Sequence, residues 1–282
     1  MTAAQPRVCV VLPLFGGHRA ATVVGAVIRA WLAQDVPCEV VVAVAGDAPR
    51  VHSGARIVAA GAADASPGRL RNLGAASTRA PLLYLGDADI VPLGTDFLGR
   101  ALRLRGGDVV VQPWMYRLLD GAELAGVAAW QPPGCDRVCL VTGDATGRLA
   151  PVPGERFRQQ ESELMVQLPP ELADPRDSRE LVLRSPFHWG GILVERRLFE
   201  DVGGYCPGYS GWGCEDDDLR IKLAARATLI TAWRADPTLA CLHFEHPRSY
   251  AGPALTANRA LLARRAAAGA EAMIAEDRGT SG

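Results

Sequence analysis

Four consecutive carboxylates, at residues 215–218, follow a Gly-Trp-Gly turn at residues 211–213. Crowded carboxylates raise one another's pKa, so one of them can become a usable general base. Trp212 offers an apolar face of the kind that stacks on a sugar ring. The apolar residues after the acids suit a buried helix, whose first turn favours negative charge. An acidic helix N-terminus is therefore the structural alternative, but four acids behind a tryptophan favour a site.

A second acidic pair, Asp87 and Asp89, follows the apolar run at residues 82–85. Two carboxylates spaced i, i+2 at the end of a buried strand can converge on one divalent ion together with phosphate oxygens. Turns are rich in aspartate, so the spacing alone is weak evidence. The preceding strand and the downstream acids strengthen it, and the sequence predicts a site for Mn²⁺ or Mg²⁺.

Residues 211–218, Gly-Trp-Gly-Cys-Glu-Asp-Asp-Asp, closely resemble the Gly-Trp-Gly-Gly-Glu-Asp-Asp-Asp motif of the β-1,4-galactosyltransferases. They also resemble the related C-terminal region of bacterial family 2 glycosyltransferases. The resemblance implies that Asp216 is the catalytic base and that Glu215 is an acceptor-binding partner. Cys214 stands where the family has glycine, a departure that concerns the local backbone geometry.

The segment before the acidic pair carries the same resemblance. Residues 69–74, Arg-Leu-Arg-Asn-Leu-Gly, resemble the family's Arg-x-Arg-Asn-x-Gly helix, and Asp87-Ala88-Asp89 resembles its Asp-x-Asp motif. The resemblance implies that the Asp-x-Asp motif faces the nucleotide sugar, with one acid toward the ribose and the other on the metal. It also implies that Arg69, with Arg71 on the same helix, binds the diphosphate or the sugar. A solvated helix face is an equal alternative for both arginines.

Two more segments complete the predicted site. Trp189 and Gly190 lie in an aromatic-Gly-Gly segment that resembles the family's donor-sugar wall, and a core tryptophan at a bulge is the alternative. His243 and His246 end another apolar strand. In the family a histidine after the acidic helix completes the metal shell, which implies His243 first and His246 second as partners of Asp89 and Asp87.

The elements that position these residues begin with a strand, a helix and a strand. Apolar runs at residues 8–13 and 38–44 flank a helical pattern at residues 20–33. Strands that are apolar on both faces predict a parallel sheet covered by helices. Ligands bind beyond the carboxyl ends of such strands, which places Pro13 and Phe15 at the nucleotide sugar. No Gly-x-Gly-x-x-Gly follows either strand, so a dinucleotide cofactor is disfavoured.

We therefore predict a single α/β domain of the GT-A type, with a mostly parallel central sheet flanked by helices. Residues 1–105 form the nucleotide-sugar-binding half, and residues 106–186 form a variable segment on the acceptor side. Residues 187–282 form the catalytic half, with the metal histidine and a C-terminal helix. In the family the second strand commonly ends in an Asp that reads uracil, and Asp47 is the possible substitute here.

Composition narrows the classes of partner. The 282 residues are 49% hydrophobic with a net charge of −1 and no long basic run, so nucleic acid is not expected. No apolar run reaches about 18 residues, so no signal peptide and no stable membrane insertion are expected. Seven scattered cysteines favour a reducing, cytoplasmic location.

The sequence thus predicts a metal-dependent, inverting glycosyltransferase with Asp216 as general base. Its donor would be a nucleotide sugar, UDP-hexose above all, and its acceptor a hydroxyl of a small molecule, a glycan or a lipid-linked sugar. The alternatives are a nucleotidyltransferase acting on sugar phosphates, a retaining N-acetylgalactosaminyltransferase-like enzyme and a non-catalytic sugar-binding module. Residues 13–17 make a poor phosphate loop, a binding module needs no base, and related retaining enzymes carry Asn at the position of Asp216.

Overall fold

The computed structural model describes most of both halves of the chain and little of the segment between them. The described residues are 6–15, 20–46, 54–61, 66–92, 94–105, 109–118, 127–130, 139–143, 149–151, 191–231, 239–244 and 253–279. The predictions for Asp47, Trp189, Gly190 and His246 lie outside these residues.

Within these ranges the chain forms thirteen strands and seven helices. The strands are β1 (Val8–Leu14), β2 (Cys38–Ala45), β3 (Arg56–Ala60), β4 (Leu82–Gly86), β5 (Ile90–Pro92), β6 (Val109–Gln112), β7 (Trp114–Leu118), β8 (Val127–Trp130), β9 (Cys139–Gly143), β10 (Leu149–Pro151), β11 (Gly191–Glu195), β12 (Thr228–Thr231) and β13 (Ala240–Phe244). The helices are α1 (Ala20–Leu32), α2 (Pro67–Ala76), α3 (Phe97–Leu104), α4 (Arg196–Asp201), α5 (Glu215–Ala224), α6 (Pro253–Ala268) and α7 (Ala270–Gly279).

Seven strands form the central sheet in the order β12-β6-β11-β4-β1-β2-β3. All neighbours run parallel except β11, which is antiparallel to both β4 and β6. Two further small sheets have the strand orders β10-β9-β8 and β5-β13-β7. The predicted α/β class with a mostly parallel sheet is confirmed.

The core lies on both faces of this sheet, because successive side chains of a strand point to opposite sides. Val8, Val10 and Leu12 of β1 belong to one buried cluster, and Cys9 and Val11 belong to the other. All seven residues of β1 are buried, as expected for a strand with helices on both faces.

Helix α2 packs closely on the sheet and thereby directs its side chains toward the ends of the strands. Ser66 caps its first turn by accepting a hydrogen bond from the Arg69 backbone N–H, and Pro67 starts the helix. A Cβ at Gly74 would lie 2.3 Å from Val11 Cγ1, so only glycine permits this approach.

The C-terminal segment forms two helices where a single one was expected. Gly269, with a φ of +87°, separates α6 from α7 in a backbone conformation that favours glycine. Both helices contact α5. None of the helices in the described part of the chain is long and apolar enough to cross a membrane.

Candidate active site

The two acidic motifs meet at the guanidinium of Arg71, which α2 holds in the interior with 1% exposure. Its Nη2 contacts Asp87 Oδ1, and its Nη1 lies 3.3 Å from Asp216 Oδ1. Its Nε donates to the Gly86 carbonyl at the end of β4, at 3.3 Å. The turn after β4 and the first turn of α5 therefore form one cluster. The alternative of a solvated helix face is wrong for Arg71.

Asp216, the predicted base, is held by two donors on one oxygen. Besides Arg71, the Tyr205 hydroxyl donates to Oδ1 at 3.1 Å. Burial raises the pKa of Asp216, while Arg71 and the Tyr205 hydrogen bond oppose the rise. The side chain keeps partial access to solvent. A carboxylate with a raised pKa and partial access to solvent has the surroundings of a general base.

Two further carboxyl groups of the cluster have strongly raised pKa values. Burial, with repulsion from Asp89 and Asp216, raises the pKa of Asp87 to about 7 against the opposing effect of Arg71. Burial and repulsion from Asp216 raise the pKa of Glu215 to about 8. Glu215 is 2% exposed, and its Oε2 has no hydrogen-bond partner among the described residues. The cluster therefore holds more carboxyl groups than the single charge of Arg71 could neutralise if all of them were ionised.

This excess of buried carboxylate oxygen fits a divalent cation, since Mn²⁺ and Mg²⁺ prefer hard oxygen ligands. Asp89 is buried and directly precedes β5. Strand β13 pairs antiparallel with β5 and places His243 opposite Ile90, one residue beyond Asp89. The backbone thus brings His243 beside the acidic turn. Among the described side chains, no group of three or more His, Cys, Asp and Glu residues forms a complete metal site.

The four acids of α5 divide between different surroundings. Glu215 and Asp216 join the cluster around Arg71, whereas Asp217 is half-buried near Arg220. Asp218 is fully buried on another side of the helix, where Arg265 Nε donates to its Oδ2 at 2.6 Å. Only the first two acids of the run therefore belong to the candidate site.

The turn before α5 has an unusual backbone. Gly211 and Gly213 have φ values of +62° and +105°, and Cys214 has a φ of +75°. Cys214 stands where the motif that this segment resembles has glycine, so a β-carbon is held here in a left-handed conformation that L-residues rarely adopt. Between the two glycines Trp212 is 44% exposed, so its side chain is accessible from solvent.

The remaining predicted residues have different surroundings. Pro13 is buried in β1 and Phe15 is half-buried directly after it, while Ala88 is buried between the two acids of the turn. The Arg69 guanidinium donates to the Pro207 carbonyl at 2.9 Å from Nε and 2.6 Å from Nη2. Ligand binding by Arg69 stays a prediction, because in this structure it holds the segment that leads to the acidic helix.

Sequence reasoning missed Tyr205 and Asn72, whose roles depend on contacts between distant parts of the chain. Asn72 Nδ2 donates to the Tyr205 carbonyl at 2.8 Å, and its Oδ1 accepts from the Tyr205 N–H at 2.9 Å. This two-way bond holds Tyr205 where its hydroxyl reaches Asp216. The signals in the sequence were the asparagine of the Arg-x-Arg-Asn-x-Gly stretch and the Gly-Gly-Tyr run at residues 203–205.

A family model described as the N-terminal domain of galactosyltransferase matches residues 177–247. The match covers a quarter of the chain and includes α5 with its acids and β13 with His243. No curated protein matches the chain.

Two solved structures resemble the whole fold. The mannosyltransferase PcManGT from Pyrobaculum calidifontis, in complex with GDP-Man and Mn²⁺, aligns with a TM-score of 0.50 and 18% identity over 88% of this chain and 59% of its own. GalNAc-T7, with UDP, GalNAc and Mn²⁺, aligns with a TM-score of 0.54 and 14% identity over 93% of this chain and 48% of its own. The chain thus spans about half to three-fifths of the length of these two proteins. The predicted GT-A fold is confirmed, and the predicted enzyme class, a glycosyltransferase, is that of the matched domain and of both neighbours.

Proposed function

We propose that this protein is a metal-dependent glycosyltransferase that moves a hexose from a nucleotide sugar to an acceptor hydroxyl with inversion of configuration. The observation that carries the proposal is the bridge from Arg71 to both Asp87 and Asp216. It joins the acidic turn expected to face the donor to the carboxylate expected to activate the acceptor. The match of residues 177–247 to a galactosyltransferase domain supports the same conclusion.

Direct displacement at the anomeric carbon needs a base that takes the proton of the attacking hydroxyl. Asp216 is assigned this role because it is a carboxylate with partial exposure and a raised pKa. Both donors to this side chain, from Arg71 and Tyr205, contact Oδ1. They fix the orientation of the carboxylate, and Oδ2 is the atom we assign as proton acceptor. Glu215, directly beside it, is assigned to hold the acceptor.

The leaving group is a nucleoside diphosphate, which needs compensation for its negative charge. Asp89 and His243 are assigned as the principal metal ligands, with Asp87 and His246 as the secondary candidates. A bound Mn²⁺ or Mg²⁺ would neutralise the diphosphate as the bond to the sugar breaks. Arg71 contacts both Asp87 and Asp216 and neutralises part of their charge.

The donor pocket is assigned to the residues around the carboxyl ends of the strands. Pro13 lies near the end of β1, Phe15 directly follows the strand and Ala88 lies in the acidic turn, all at the edge of the sheet where ligands bind in such folds. Trp212, Trp189 and Gly190 complete the assignment on the side of the sugar. UDP-hexose is the proposed donor. GDP-mannose belongs in any test, since GDP-Man is the ligand of one neighbour.

The test is nucleotide release with a panel of sugar nucleotides, Mn²⁺ and hydroxyl acceptors, followed by the anomeric configuration of the product by NMR. The proposal predicts acceptor-dependent release of a nucleoside diphosphate and a β-linked product from an α-linked donor. An α-linked product would instead support a retaining enzyme, as the alternative predicts. Formation of pyrophosphate from a nucleoside triphosphate and a sugar phosphate would support a nucleotidyltransferase, and binding without turnover would support a binding module.

A further inference from the structure

One buried asparagine of the C-terminal helix α6 holds the loop that carries Trp212. Asn258 is only 2% exposed. Its Nδ2 donates to the Ser210 carbonyl at 2.9 Å and to the Gly213 carbonyl at 3.0 Å, with the Trp212 carbonyl at 3.3 Å. Its Oδ1 accepts from the Ser210 N–H at 3.3 Å. A single side chain thus bonds the backbone on both sides of the tryptophan.

The pattern of bonds specifies an amide. The loop presents three carbonyl acceptors and one N–H donor, and an asparagine amide supplies two N–H donors and one acceptor oxygen. A carboxylate could not donate to the three carbonyls and would place its charge against them. An alanine would leave these backbone groups without this partner.

Helix α6 also lies close beneath the loop. A Cβ at Gly213 would be 2.8 Å from Leu255 Cδ1, and a Cβ at Gly211 would be 3.9 Å from the Ala254 Cβ. The glycines on both sides of Trp212 are therefore packed against the first turn of α6. The contact leaves the loop little freedom to shift toward the helix.

The same helix is tied to the helix that carries the proposed base. Arg265 of α6 is buried and donates to Asp218 of α5, with 2.6 Å between Nε and Oδ2. Asp218 lies two residues beyond Asp216. Helix α6 therefore contacts both the loop of Trp212 and the helix of Asp216, and it can fix the distance between them.

We propose that Asn258 is a positioning residue that sets the place of the Trp212 ring relative to Asp216, which makes α6 part of the sugar-binding site. The proposal deepens the proposed function and rests on it where Trp212 is taken to face a sugar. Released from Asn258, the loop would have to be ordered at the moment of binding, which weakens the affinity for the sugar substrate. The ionisation of Asp216 would not change.

Kinetics provide the first test, with Asn258→Ala and the near-isosteric Asn258→Asp. A misplaced binding group can cost roughly 10- to 100-fold, so KM for the sugar substrate should rise by about that factor in both variants. The pH profile of kcat should keep its wild-type midpoint. In a double-mutant cycle with Trp212→Ala, the Asn258→Ala change should raise KM little further once the tryptophan ring is absent. Additive losses in the cycle would overturn the proposal.

Arg265→Lys is the matched control on the same helix. It keeps the positive charge but loses the paired contacts of the guanidinium with Asp218 and Asp277. This variant should lower the Tm and raise KM less than Asn258→Ala does, because the bonds of Asn258 to the loop remain, when all variants are assayed well below their Tm values. An equal rise of KM in Arg265→Lys would show that general loosening of α6, not Asn258, controls the loop.

A second readout needs no activity. The contribution of Trp212 to fluorescence is obtained by subtracting the spectrum of Trp212→Phe, measured alone and in each variant background. In Asn258→Ala this contribution should shift in wavelength and be quenched more readily by acrylamide, and in Arg265→Lys it should match the wild type. Unchanged emission and quenching in Asn258→Ala would overturn the proposal. If no sugar transfer is found, this readout still decides whether Asn258 positions Trp212.

Discussion

Helix α5 contributes to two charged clusters that differ in the balance of their charges. On one side Asp218, with Asp277 of α7, contacts Lys222 and Arg265, and each of these four side chains is almost completely buried. On the other side the carboxyl groups of Asp87, Glu215 and Asp216 lie around the guanidinium of Arg71, and the charge of Asp89 acts on Asp87. We call these the balanced cluster and the site cluster.

The two clusters differ in ion pairing and in the pKa values of their carboxyl groups. In the balanced cluster each buried acid has a cation at ion-pair distance, and the contacts join α5 to α6 and α7. In the site cluster Glu215 Oε2 has no hydrogen-bond partner among the described residues, and the pKa values of Asp87, Glu215 and Asp216 are all raised. Surplus buried negative charge costs stability, so its presence indicates ligand binding or chemistry.

We expect the largest effect on stability from Asp218→Asn, whereas the same substitution at Asp216, in the same helix, should not destabilise the protein. Asp218→Asn should lower the free energy of unfolding by about 3–5 kcal/mol, because it leaves Lys222 and Arg265 buried beside a neutral group. Asp216→Asn should leave it unchanged or raise it, since it removes surplus negative charge. Urea denaturation in EDTA measures both. Equal losses would erase the distinction between the clusters.

Metal removal tests whether a cation balances the site cluster. EDTA should abolish sugar transfer, Mn²⁺ or Mg²⁺ should restore it, and Asp89→Ala should bind the sugar nucleotide much more weakly. His243→Ala should raise the metal concentration needed for half activity by roughly 10- to 100-fold, and His246→Ala should raise it less. The reverse ranking would make His246 the principal metal ligand in place of His243. Full activity in the presence of chelator would contradict the metal site.

Glu215→Gln should stabilise the metal-free protein above neutral pH. The pKa of Glu215 is raised from 4.5 to about 8, so the folded state holds this proton through a range in which the unfolded state releases it. Stability from this group is present below about pH 4.5 and is lost as the pH rises through about 8. The variant should gain about 1–3 kcal/mol over the wild type between pH 5 and 8.5. Urea denaturation in EDTA at several pH values measures the gain.

Glu271→Gln provides the control with the opposite sign. Glu271 is exposed and pairs with Arg226, whose hydrogen bond lowers the pKa of the carboxyl group. Its contribution to stability is present at neutral pH and is lost as the pH falls through its folded pKa. A gain from Glu215→Gln that did not grow with pH would contradict the assignment of surplus charge to Glu215.

The smallest expected effect on stability concerns the turn before α5, the helix that contributes residues to both clusters. Cys214→Gly should raise the free energy of unfolding by about 1 kcal/mol, because glycine adopts the φ of +75° without the steric cost of a β-carbon. Cys214→Ala, which keeps the β-carbon, should give no such gain. Thermal unfolding of the two variants measures the difference, and equal Tm values would show that the turn carries no strain.

Much of the fold could be predicted from the sequence because the signals are local. Strand β1 was expected at residues 8–13 and is formed by Val8–Leu14, and α1 and β2 followed as predicted. Such runs are apolar along the whole strand because both faces are covered. The turn Asp87–Asp89 was also correctly expected after a buried strand.

The division of the acidic run could not be predicted in the same way. A helix turns about 100° per residue, so Asp216 and Asp218 point in nearly opposite directions. Which of them faces Arg71 depends on how α5 packs against α2 and α6. The same geometry separates Arg69 from Arg71 on α2, where one guanidinium bonds the Pro207 carbonyl and the other bonds the acids.

We propose that Asp216 removes the acceptor proton, while Arg71 and Tyr205 hold the Asp216 carboxylate in place. The most direct measurement is the single-turnover rate of sugar transfer by Asp216→Asn, with saturating donor and Mn²⁺, beside its affinity for the donor. We expect a rate lower by on the order of 10²–10⁴-fold with donor affinity unchanged, because asparagine keeps the shape of the side chain but cannot take the proton. Transfer at nearly the wild-type rate would contradict the assignment of Asp216 as the base.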